Sequence, residues 1–155
     1  MHADFIGYSN IKDLTDSADA IVIGEVVNVN PPILITHGKF DDGSPWEDVF
    51  TVSDVEVKKV LKGSLKPGQM IQVKQWGGEY QGTRYIVDGE SEFFSKNMRG
   101  IFFIQMYKDV PASCLNPYQG FVKIVDGKIE PFPENDLLPK GLSENEFLTN
   151  FSKEQ

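Results

Sequence analysis

The chain has 155 residues, 40% of them hydrophobic and 25% charged, which is enough for one packed core and argues against wholesale disorder. Its formal net charge of −8 and pI near 4.7 oppose nucleic-acid binding, which gains affinity by releasing counterions from phosphates, and oppose adsorption to an anionic membrane. A single cysteine, Cys114, excludes an internal disulfide, and no apolar run reaches the length of a membrane span.

In chain order, the first predicted element is a helical turn over Ser9 to Ser17. There Ile11, Leu14 and Ala18 recur three to four apart, and Ser9 or Asn10 can cap the start. Ala20 to Val29 is rich in β-branched residues and stopped by Pro31-Pro32, so it reads as a strand with a bulge or bend at Gly24. The Pro- and Gly-rich stretch from Asn30 to Glu47 reads as a long connection ending in a solvated hairpin tip. Val49 to Leu61 is a long β run whose apolar parity shifts twice. Bulges near Ser53-Asp54 and Lys58-Lys59 would keep its core face inward while coiling the strand, as closing a small barrel requires.

After the turn residues Lys66-Pro67-Gly68, Ile71 to Trp76 alternates as a half-buried strand, and Tyr80 to Val87 adds a short one. Ser91 to Asn97 reads as a loop or helical turn. Ile101 to Tyr107 is apolar on both parities and so central. Tyr118 to Val125 and Lys128 to Phe132 flank Asp126-Gly127, a strong hairpin signal. Ser143 to Phe151 carries a capping box, Ser143 with Glu146, ahead of an apolar stripe of Phe147, Leu148 and Phe151. The expectation is a mainly β single domain over 1–155. It consists of a small closed OB-like barrel of about six strands spanning roughly 18–132, short N- and C-terminal helices, and a C-terminal helical extension over 133–155.

Several local patterns then combine. Ala18-Asp19-Ala20-Ile21-Val22-Ile23-Gly24-Glu25-Val26, Thr51 to Gly63 ending in Val60-Leu61-Lys62-Gly63, Ile71 to Gly78, Ile101-Phe102-Phe103-Ile104 and Gln119-Gly120-Phe121-Val122 follow one another in a fixed order. In that order the chain resembles uncharacterised bacterial exported or lipoprotein domains, whose layout is similar to the OB barrel of netrin-like modules and tissue inhibitors of metalloproteinases. The resemblance implies an OB-like barrel and an extracytoplasmic address, secreted or held by a lipid anchor encoded ahead of Met1, although Met1-His2-Ala3-Asp4 is itself not a signal peptide. The inhibitors' zinc chelation does not carry over, because the chain has no N-terminal cysteine.

Catalytic signals are weak throughout. His2 and His37 are the only histidines and have no second His or Cys at ligand spacing, so no metal and no cofactor are expected. The acidic run Asp41 to Asp48 lacks the spacing of a calcium loop, and Cys114 has no apparent base beside it. The candidate ligand-binding residues are aromatic. Trp76, opposite in parity to Ile71 and Val73, points off the core face, and Tyr80 and Trp46 lie in nearby loops. The expected function is a non-catalytic binding or adaptor module that recognises a protein or cell-envelope ligand through barrel loops. The alternatives are a carboxylate-dependent hydrolase and an oligosaccharide-binding OB-type domain.

Overall fold

A computed structural model describes residues 7–85 and 92–153. The fold is mainly β, with ten strands and two short helices among those residues: α1 (Ile11–Ser17), β1 (Ala20–Val29), β2 (Ile33–Lys39), β3 (Pro45–Lys62), β4 (Met70–Trp76), β5 (Gly78–Tyr80), β6 (Thr83–Tyr85), β7 (Arg99–Gln105), β8 (Ala112–Cys114), β9 (Phe121–Val125), β10 (Lys128–Glu130) and α2 (Glu144–Lys153). The expected count of about six is therefore corrected upwards. Two of the additions, β2 and β8, occupy segments whose composition hides a strand, and β10 covers only the start of the run expected to reach Phe132.

Eight strands share one sheet in the order β1-β3-β4-β8-β7-β9-β10, with β2 on the outer side of β3, and β5-β6 form a separate hairpin. β1 also pairs with β7, so the path β1-β3-β4-β8-β7 returns to its start. All pairings are antiparallel except β4 with β8, where Val73 faces Ala112 and Lys74 faces Ser113.

The bulges fall partly where expected. β3 carries an extra residue at Lys58, opposite Ile23 and Gly24, and another at Leu61. Near Ser53-Asp54 the extra residue is on the partner, at Val27 of β1, while β3 runs in unbroken register with β4 from Phe50 to Glu56. The apolar residues of both parities at Val49 to Val52 are explained differently: both faces of β3 are buried there. Gly24 sits opposite Gly100 across the β1–β7 pair. A Cβ on Gly24 would lie 2.7 Å from Val55 Cγ1 and 3.2 Å from the Glu56 carbonyl oxygen, so a side chain there forces its neighbours to shift.

Two clusters explain why β1 and β7 are apolar on both parities. Val22, Val26, Phe102 and Ile104 meet Val55, Val57, Ile71, Val73 and Phe121 on the inner face. Ile21, Ile23, Ile101 and Phe103 face the other way and are covered by Leu14 of α1 and by Phe147 and Phe151 of α2. Both helices are held by polar contacts. Asn10 Oδ1 caps α1 by accepting from the Asp13 amide at 2.8 Å. Lys62 Nζ donates to the Thr15 carbonyl at 2.9 Å, the arrangement a helix C-terminus favours. Ser143 and Glu146 form the reciprocal capping box, and Glu144 accepts from Lys59 and Arg99. Asp126 and Gly127, both at positive φ, turn β9 into β10 as the sequence predicts. Ile86, Val87 and Ser91, within two predicted elements, lie outside the described residues.

Candidate functional site

Strand alternation sets the site. On β4, Ile71, Val73 and Gln75 point inward and are buried, so Gln72, Lys74 and Trp76 point outward. The register pairs Trp76 with Phe50 and Lys74 with Val52, which places Phe50 and Val52 on the same outer face of β3. Both are nonetheless almost wholly buried, and a second layer lies over Phe50.

That layer is built by the hairpin of β2 and the start of β3. The stretch 30–47, expected to be a connection, contains β2, paired with β3 from Ile33–Phe50 to Lys39–Pro45. Only its tip is a turn, where Asp42 Oδ1 accepts from the Ser44 amide at 2.9 Å. A bulge at His37, between Thr36 and Gly38, turns this imidazole onto the face. His37 therefore belongs to a strand rather than a loop, although it still reaches solvent. Its Nε2 is 2.9 Å from Oδ2 of the buried Asp48. Its ring centroid lies 4.9 Å from Trp46, 5.9 Å from Phe50 and 6.3 Å from Trp76. Phe50 in turn lies 4.9 Å from Trp76. Asp48 thus fixes the ring about which the aromatic layer is assembled.

Trp46 and Trp76 are brought together around His37, with Trp46 the more exposed. Trp46 belongs to β3 rather than to a loop. Trp76 points outward as expected, away from the face that the terminal helices cover. Tyr80 also sits in a strand, β5, and makes no ring contact with either tryptophan among the described residues. Phe50, His37, Lys74 and Tyr107 complete the surface and were not singled out by sequence. An outward parity shared with Trp76 was the available signal for Lys74 alone, since the others depend on cross-strand register.

Lys74 is the charged member. Its Nζ lies 4.9 Å from the Phe50 centroid and 4.6 Å from that of Tyr107 in the β7–β8 connection. Burial holds its pKa below the ordinary lysine value. The Tyr107 hydroxyl is 3.0 Å from Ser113 Oγ, tying that connection to β8. Between them opens a cavity of about 130 Å³ lined by Lys74, Trp76, Gln105, Tyr107, Ser113 and Asn116 among others. Cys114, half-buried on β8, also borders it. Among the described residues no three His, Cys, Asp or Glu side chains are grouped as metal ligands.

No family model, curated protein or solved structure matches this chain, and the reading of the site rests on its own geometry.

Proposed function

We propose that the chain is a binding or adaptor module built on a closed OB-type barrel, which recognises a protein or cell-envelope ligand on the outer face of β3 and β4. The returning path β1-β3-β4-β8-β7 supports the barrel, since it matches the five-stranded Greek-key closure of OB domains. In such domains ligands bind on the face of the second and third strands, between the loops after the first and the fourth. Here those strands are β3 and β4, and the two connections supply His37 and Tyr107.

The observation that carries the reading is the aromatic layer His37–Trp46–Trp76 on that face, extended by Lys74 and Tyr107. Aromatic side chains give large contact area at low entropic cost and dominate recognition surfaces. An extracytoplasmic setting, secreted or lipid-anchored, is part of the proposal and rests on the order of sequence patterns. A carboxylate hydrolase is the weaker reading, because neither of the two described cavities has a pair of carboxylates in its lining.

The test is retention of ligand from envelope and secreted fractions by the immobilised chain. Material held by the wild type is expected to be lost with Trp76→Ala and Trp46→Ala and kept with Tyr80→Ala. Equal retention by all three variants would overturn the site.

A further inference from the structure

Lys74 stands apart from the other cations of the described residues in being partly buried without a carboxylate; Lys39, Lys66, Arg84, Lys96, Lys108, Lys128 and Lys140 also make no ion pair but are exposed to water. Lys12, Lys58 and Lys123 pair with Asp16, Glu56 and Glu92, Lys59 and Arg99 share Glu144, and Lys62 sits on helix carbonyls. Lys74 is half-buried against two rings with no carboxylate partner among the described residues, and no Asp or Glu lines the cavity beside it. A dehydrated ammonium is costly unless an anion or hydrogen bonds compensate it. Burial lowers its pKa, as expected of a partly dehydrated ammonium. In a chain of net charge −8, a cation left in this state marks a place where a negative group is missing.

The surroundings of that place mix exposed apolar and polar side chains. Trp46 and Phe40 are exposed on one side. On the other, Met106, Tyr107 and Val110 are exposed, and Met106 and Val110 border a second, shallower cavity of about 390 Å³ whose polar lining is Gln72, Lys108 and Asp109. Exposed methionine and aromatic side chains around a polar centre are the composition of a protein-binding surface.

Building on the binding reading above, we propose that this groove captures an aspartate or glutamate side chain of a partner polypeptide. The carboxylate seats in the cavity on Lys74 Nζ, whose other contacts are the Phe50 and Tyr107 rings, and apolar residues flanking it lie against Trp76 on one side and Met106 on the other. Ser113 Oγ and the Tyr107 hydroxyl share one hydrogen bond, which leaves one hydroxyl proton of the pair, together with the Gln105 amide, to donate to the second carboxylate oxygen.

The experiment is selection of a display library of random short peptides on the full chain, followed by titration of the enriched peptide and its amide counterpart, Asp to Asn or Glu to Gln. Emission of the chain's two tryptophans, both in the site, reports binding. The acidic peptide is expected to bind about tenfold more tightly than its amide form. That preference should vanish with Lys74→Met and survive with Lys74→Arg. In the wild type the Lys74 ¹³Cε titration should move to higher pH on binding, a readout that does not depend on how well the variants fold. Equal affinity for the two forms, a preference that persists in Lys74→Met, or an unmoved Lys74 titration overturns the proposal. Enriched peptides without an acid that are lost with Trp76→Ala also overturn it, while leaving the aromatic face as a binding surface. Failure to enrich any peptide overturns it as well. If a galacturonate oligosaccharide then binds through Lys74, the face still binds but the ligand is an acidic sugar. If no galacturonate binds either and Trp76→Ala changes nothing, the face itself is wrong.

Discussion

The outer surface of the sheet has two faces made by the same physics to opposite ends. On the β1–β7 side, Ile21, Ile23, Ile101 and Phe103 are sealed under Leu14, Phe147 and Phe151. On the β3–β4 side, Phe50 is equally buried, but its cover is Trp76, His37 and Lys74, which themselves reach solvent. The first face is covered by aliphatic and phenyl groups on helices and has no polar function left. The second is covered by side chains that each present a polar or aromatic edge. Burial of the sheet can thus be satisfied by a lid of apolar groups or by one that keeps polar and aromatic edges in contact with solvent.

The largest expected effect breaks the sealed face. Phe103→Ala should cost about 3–5 kcal/mol in chemical denaturation, because it opens a cavity between sheet and helices. The same measurement on Gly24→Val should give about 1–3 kcal/mol, since the new side chain collides with Val55 and Phe102 and forces the β1–β3 bulge to move.

On the open face, Trp76→Ala should cost only about 1–2 kcal/mol, the ring being half-buried, while abolishing ligand retention. A loss of stability as large as that of Phe103→Ala would make the open face a core in disguise.

Glu144 sharpens the difference through pH. Burial alone would raise its pKa, but hydrogen bonds from Lys59 and Arg99 and their charges outweigh this and hold it below the ordinary 4.5. A lowered folded pKa means that its contribution is complete above the unfolded value and is lost as pH falls through the folded one. Glu144→Gln should therefore cost about 1 kcal/mol at neutral pH and flatten the acid limb of the thermal-unfolding curve. The difference from wild type should shrink at the acidic end, where both carry a neutral group. The smallest expected effect belongs to Tyr80→Ala, within about 0.5 kcal/mol of wild type in stability and without change in retention.

Residues whose role depends on near neighbours were legible. The capping box at Ser143, the Asp126-Gly127 turn and the β1 strand up to its stop at Pro31-Pro32 lie close to prediction, because caps, turn dihedrals and β-branched runs act over a few residues. The outward aim of Trp76 also followed from period-two alternation alone. β2 was not legible, because Pro31, Pro32, Gly38 and Gly43 dominate its surroundings and its pattern is almost wholly exposed. β8 was missed because three residues after Pro111 carry no periodicity. Yet these two unread strands complete the site, one by bringing in His37 and the other by seating Ser113 beside Lys74.

The sequence by itself therefore determined a β-rich chain with capped helices at its ends and an outward tryptophan on β4. Only the tertiary structure decided that the strand path returns on itself and that His37, Trp46 and Trp76 meet. It also decided that Lys74 lies between two rings without a carboxylate partner among the described residues. The physical reason is range. Alternation and capping are written in adjacent residues, whereas a cross-strand register and a bulge opposite it are set by pairing between segments far apart in the chain.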